Sequence, residues 1–353
     1  MAKRHRLIAD VRLVGLVALV AVACTDDGAR VGSFTTAPGA EPGLELTELV
    51  TGLSGPTQIA ADGEGGYVVA ELNGGEREGR GRVLRFRTLP GPSEVLLEGL
   101  ETPTGVAVEG GRLWVMERRR LTVGPLGDPS DRRIVLDDLP FNGRSQGTIS
   151  PVAGGGILFD TSGRSVRPDS GRLELEAGSG TLWYLSEPGA RPEPFATGFK
   201  HAYAHAPLGD GRWLVTEISD GRLDGVVPPD EGVVAVEGDD FGYPACVGDR
   251  TPVVEAGGDD TRCSATPSSV ALLEPGSTPT GVAVAPWDPT RAFVALWNRG
   301  LVVMVDVDAV GGAVDAVLAA FDRPQHLIAD GDRILVTDHA AGTITAVTLS
   351  GPG

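Results

Sequence analysis

A six-bladed β-propeller with its ring closed by an N-terminal strand is the fold this all-β sequence predicts, and three observations carry the prediction. The heptapeptide Thr-Pro-Thr-Gly-Val-Ala-Val occurs twice, at Thr102–Val108 and at Thr278–Val284. The copies stand about four periods of 44 residues apart, a spacing that suits propeller blades. Looser copies, Pro56-Thr-Gln-Ile-Ala-Ala and Pro324-Gln-His-Leu-Ile-Ala, lie about one period outside the pair. The chain between them consists of short β-branched and apolar runs bounded by turn residues, with no convincing helical period.

Residues 1–23 read as an export signal. Lys3, Arg4, Arg6 and Arg12 form a basic n-region, and the apolar run Leu13–Ala23 is too short to span a bilayer. Ala21-Val22-Ala23-Cys24 matches a bacterial lipoprotein signal, so Cys24 is the expected lipidated terminus; an ordinary secretory signal with an incidental cysteine is the alternative. Either way the chain is expected to be exported, and as a lipoprotein it would be membrane-anchored, facing the periplasm or the cell exterior. Residues 24–43, small and polar with several Gly and Pro, suit a tether to a propeller domain spanning 44–353.

The full chain carries a formal charge of −18. Losing Lys3, Arg4, Arg6, Arg12 and Asp10 with the signal would take it to about −21, a surface that repels phosphate backbones and argues against nucleic-acid partners.

Six first strands are expected near Pro56, Pro103, Gly147, His201, Pro279 and Pro324. Third strands begin with Gly, as in Gly81-Arg-Val-Leu-Arg-Phe, Gly180-Thr-Leu-Trp-Tyr-Leu and Gly342-Thr-Ile-Thr-Ala-Val. The last unit shows three strands, Gln325–Ala329, Arg333–Thr337 and Thr343–Leu349, and Leu44–Val50 is the expected fourth. Closing the ring in this way leaves no open sheet edge.

Cys246 and Cys263 make a lone pair with sixteen residues between them, which in an oxidising compartment reads as a disulfide. Such a loop closure is worth roughly 3 kcal/mol on chain-entropy grounds. Metal binding by the pair is the minor alternative.

The fourth unit is the most distinctive stretch. It reads Thr197-Gly-Phe-Lys-His-Ala-Tyr, Gly211-Arg-Trp-Leu-Val-Thr-Glu, Pro228-Pro-Asp-Glu and Asp240-Phe-Gly-Tyr-Pro-Ala-Cys. This order resembles the glucose/sorbosone dehydrogenase family, exported six-bladed propellers that oxidise sugars with pyrroloquinoline quinone (PQQ) and calcium. Phe293-Val-Ala-Leu-Trp-Asn-Arg-Gly and the ending from Arg323-Pro to Thr-Ile at 344 also resemble it, so the likeness covers nearly all of 44–350.

The resemblance implies a sugar, or a related alcohol or aldehyde, as small-molecule substrate, and it locates the site residues. Arg144 stands about where the family has its general-base histidine, and arginine, which stays protonated, cannot take that role. Lys200-His201 replaces an Arg-Asn pair, so His201 is the remaining candidate base and Lys200 a candidate partner for a quinone carboxylate. Asn298 replaces a lysine, with Arg299 beside it. Arg144, Lys200, Arg299 and Arg323 are expected near one mouth, where a basic cluster would bind an anionic ligand. Surface ion pairing is the bland reading of the same residues. The turn after the Thr-Glu strand, with Glu217 and Asp220, is the candidate calcium site, although acidic turns without metal are commoner.

Two further readings follow from the same stretches. If the base is lost, the chain becomes a non-catalytic ligand- or protein-binding propeller. A calcium-dependent lactonase would draw on Glu71, Asp220 and Asp338 at strand ends. A zinc pair at His201 and His205 is disfavoured, because that spacing on a strand separates the residues by about 13 Å. No serine-hydrolase or phosphate-loop motif occurs.

Overall fold

Six four-stranded antiparallel sheets follow one another along the chain in the computed structural model. It describes residues 43–349 except positions 76, 77, 142, 144, 220, 224, 313, 319 and 320. The expected signal, Cys24 and tether, and the candidates Arg144 and Asp220, lie outside the described residues. The innermost strands are Pro56–Ala61, Gly105–Glu109, Ile149–Pro151, Ala202–Gly209, Pro279–Ala285 and Pro324–Asp330. Five blades are built from consecutive strands or nearly so. The sixth takes its outer strand from the other end of the chain: Leu44–Val50 pairs antiparallel with Thr343–Leu349, Leu44 opposite Leu349.

The strands are apolar on both faces because each sheet is covered on both sides by its neighbours. In Tyr67–Glu71, Val69 packs with Leu335 and Ile344 of the sixth blade, while Val68 and Ala70 pack with Val106 and Val115 of the second. That is the period of two expected of a strand, applied to two separate cores. Each of the six blade junctions holds one such cluster.

Threonine hydroxyls stitch each blade to the inner strand of the next. Thr57 Oγ1 donates to the Pro103 carbonyl at 2.8 Å, Thr216 Oγ1 to Pro279 at 3.1 Å, and Thr337 Oγ1 to Thr57 at 2.8 Å. The repeated heptapeptide has a packing reason for its glycine. A Cβ at Gly281 would come within 2.7 Å of the His326 Cα in the next inner strand.

Two insertions break the regularity and pack on one another. One carries the ribbon Ser165–Val166 with Glu174–Leu175, the other the ribbon Cys246–Val247 with Thr251–Pro252. The second also holds a short helix, Asp260–Ser264, whose N-cap Asp259 accepts the Arg262 N–H; no helical period foreshadowed it. Cys246 and Cys263 form the expected disulfide. Tyr243 and Ser165 share a hydroxyl hydrogen bond of 3.0 Å across the two insertions.

Candidate functional site

The six inner strands all begin at one end of the central channel, and a cavity of about 230 Å³ opens there. Threonines dominate its wall: Thr102 and Thr104 from one heptapeptide, Thr278 and Thr280 from the other, and Thr57 from the looser copy. The repeat that revealed the fold therefore also lines the site. Thr102 and Thr278 adopt left-handed backbone conformations, φ 50° and 59°, which a β-branched residue holds only when its surroundings impose it. At Thr278 the imposing groups are clear. Asp230 accepts its N–H at 2.8 Å, and its hydroxyl accepts from Asn298 Nδ2 at 2.7 Å.

Each loop that delivers an inner strand is held by a buried carboxylate. Glu71 accepts the Ser54 N–H, Glu117 that of Glu101, Asp160 that of Gly147, Glu217 that of Lys200, and Asp338 those of Asp322 and Arg323. The fifth blade ends its second strand in Leu296, and there Asp230 of the fourth blade substitutes. Sequence reading singled out Glu71, Glu217 and Asp338 as metal ligands; the structure occupies them as backbone anchors. No cluster of three His, Cys, Asp or Glu able to hold a metal occurs among the described residues.

Electrostatics separate these anchors. Burial pushes the Glu117 carboxyl up, but hydrogen bonds from Arg120 and the Glu101 N–H, with the charge of Arg132, outweigh it and hold it below the usual carboxylate range. Among the described residues Glu217 has no such arginine partner. Burial, reinforced by the charge of Glu231, raises it well above that range.

His201 lines the cavity, as its candidate role requires. Its Nε2 lies 3.1 Å from Ser162 Oγ and 3.2 Å from Asp160 Oδ2. Ser162 Oγ donates to the Ser145 carbonyl, so it is free to accept from Nε2–H, which leaves Nδ1 as the lone-pair nitrogen. Asp160 Oδ2 lies close to that nitrogen but off the N–H line, and makes no hydrogen bond to it. Ser, His and Asp thus meet, but both partners share one ring nitrogen, so they do not form a nucleophilic triad. Gly147 makes this possible, since a Cβ there would collide with the Tyr203 carbonyl and Asp160. The ring stands edge-on to Tyr203, whose hydroxyl accepts from Gln325 Nε2 at 2.9 Å. Asp160 and Ser162 lie in no motif read from the sequence, and Tyr203, the last residue of the Thr197–Tyr203 stretch, was not singled out as a site residue.

The described basic candidates, Lys200, Arg299 and Arg323, are not gathered on the cavity wall. Lys200 Nζ donates to the Gly163 carbonyl at 3.4 Å. Arg299 pairs with Glu274 at 2.9 Å and donates to Pro275. Arg323 lies 4.3 Å over the Trp297 ring and so reaches the site only through that indole. Asn298 serves the loop through Thr278.

No family model matches this sequence, and no curated protein does. Solved structures do match in shape. A Trichoderma reesei carbohydrate-active enzyme of family AA12 superposes with a TM-score of 0.71 at 16% identity, over 93% of this chain and 100% of that one. The PQQ domain of pyranose dehydrogenase from Coprinopsis cinerea gives 0.67 at 16% identity, over 90% and 99%. PQQ-bound aldose sugar dehydrogenase from Streptomyces coelicolor gives 0.66 at 16% identity, over 89% and 100%. At these identities the likeness is one of fold. The chain is a six-bladed β-propeller of the shape shared by PQQ-binding sugar dehydrogenases and AA12 enzymes.

Proposed function

We propose that the chain is a sugar-dehydrogenase-like propeller whose threonine-lined cavity recognises a neutral sugar or related polyol. One observation carries the reading. Thr104 Oγ1 and Trp297 Nε1 are buried on residues of the cavity wall without a protein partner. Hydroxyls of a polyol both donate and accept, and would satisfy such groups at little cost. Trp297 and Tyr203 add flat apolar surface suited to the C–H face of a sugar ring.

The described wall does not fit PQQ, a flat tricarboxylate. Neither lysine nor arginine lines it, and the nearby cations are engaged as described. Oxidation is nonetheless the second reading, because His201, oriented by Ser162, keeps Nδ1 for accepting a hydroxyl proton. The structural neighbours that bind PQQ or calcium support the same reading.

Calorimetric titration of the purified protein with a panel of neutral sugars, and separately with PQQ plus calcium, distinguishes the two readings. Sugar binding that Thr104→Val weakens by roughly tenfold, without PQQ binding, is expected. Saturable PQQ binding with dye reduction would replace recognition by oxidation. No binding of either would overturn both.

We also propose export with lipid attachment at Cys24, on the strength of the basic n-region, apolar run and Ala23-Cys24 junction. Radiolabelled palmitate should enter the protein in its bacterial host and be lost in Cys24→Ala; labelling that persists in the variant would sink the assignment.

A further inference from the structure

The channel has a second opening at the far ends of the inner strands, a funnel of about 460 Å³. In this strongly acidic protein none of the described residues lining it is charged. Its wall is mostly Ala, Val, Ile and Pro, including Ala283 and Val284 of the fifth blade and Ile328 of the sixth, and its other polar residues, Gln58 and Ser150, are hydrogen-bonded to the backbone. Two histidines close its inner part, His205 from the fourth blade and His326 from the sixth, 4% and 6% exposed. Neither belongs to the cavity at the other mouth.

Hydrogen bonding decides the tautomer of His205. Ser150 Oγ donates its proton to the His205 carbonyl at 2.8 Å, so the 2.7 Å contact between His205 Nδ1 and Ser150 Oγ places the ring proton on Nδ1. Nε2 is then a bare lone pair, buried and without a protein hydrogen-bond partner. His326 Nδ1 is likewise buried and unpartnered. Burial depresses both rings to about 3; the Thr148 carbonyl opposes the shift at His205, and the charge of His205 adds to it at His326. Both imidazoles are therefore neutral acceptors at any ordinary pH.

We propose that this far mouth is a second ligand site, for a small neutral molecule with an apolar body and a hydroxyl that donates to His205 Nε2. Phenol is the simplest member of the class. A charged ligand would be desolvated with nothing to pair it, and a sugar would bury most of its hydroxyls against hydrocarbon. A metal lacks a third ligand among the described residues. An apolar ring, by contrast, gains the burial of its surface, and once the side chains that cover Nε2 give way its one donor meets an acceptor that burial has otherwise left unsatisfied.

The test uses the purified protein and two probes that differ by one hydroxyl, para-fluorophenol and fluorobenzene, followed by fluorine NMR. Saturable millimolar binding of the phenol is expected, with fluorobenzene roughly fivefold weaker. Histidine nitrogen NMR should show the Nδ1–H tautomer at His205 and a shift of Nε2 only with the phenol. His205→Phe should bring the phenol down to the affinity of fluorobenzene. Ala329→Trp, at the exposed rim, keeps the test open should that core change unfold the blade, and should weaken both probes. Equal binding of the two probes, no saturable binding, or a phenol preference that survives in folded His205→Phe would each overturn the proposal. None of these readouts involves the threonine-lined cavity, so its failure as a sugar site would leave this result standing.

Discussion

Asp338→Ala is expected to lower folding stability by about 4 kcal/mol, because one buried carboxylate holds four backbone donors. It accepts the N–H groups of Asp322, Arg323, Ala340 and Ala341 at 2.6 to 3.1 Å, and it is 1% exposed. Alanine would strand donors that water reaches poorly, and each orphan costs on the order of 1 kcal/mol or more. The loss should also be felt at the mouth, since the loop it fixes carries Arg323, which lies over Trp297. Asp338→Asn keeps one acceptor oxygen and should recover about half of the loss. Urea unfolding of the three proteins measures this. A change below about 1 kcal/mol for alanine would mean that water replaces the anchor and the loops are held by packing.

Removing the disulfide by Cys246→Ala with Cys263→Ala should lower stability by about 3 kcal/mol. The bridge closes a loop of sequence separation 17 whose apolar residues form a small cluster of their own, so chain entropy is a large part of what orders it. The effect should extend into the fourth blade. Gly248 and Asp249 within that loop donate their N–H groups to Glu231, which is buried beside Ser269. The double variant should unfold at lower urea and become sensitive to protease near Thr251, and the reduced wild type should behave the same way. Stability within about 0.5 kcal/mol of wild type would show that Glu231 and the apolar cluster order the loop unaided.

The fold was legible because propellers write their repeat in turn chemistry. The Pro-Thr entries of the first, second and fifth blades and the Gly-initiated third strands recur where the inner and third strands form. Leu44–Val50 was legible as the closing strand because the last unit is one strand short. The cavity was half legible. The heptapeptide announces Thr102, Thr104, Thr278 and Thr280, and its recurrence signals a shared backbone conformation without saying that the hydroxyls face the channel. Asp160 was invisible because its role depends on Gly147 and His201, brought together only by two neighbouring blades. Lys200, Arg299 and Arg323 illustrate the opposite difficulty. Their positions near the mouth could be inferred, but the directions of their side chains are set by local carbonyls, an acid and an indole.

The pairing of Leu44–Val50 with Thr343–Leu349 makes the two chain ends a clasp. The first of the described strands to leave the ribosome is the last that can be placed, because its partner is made at the other end of the chain. Until then the nascent ring is an open arc with a bare strand at its final edge, and at protein concentrations that rival the effective concentration of its own tethered segment Thr343–Leu349 can pair with the Leu44–Val50 segment of another molecule. Exchange of that single segment between two copies would cost little, and it is the dimer to look for when the protein refolds at high concentration.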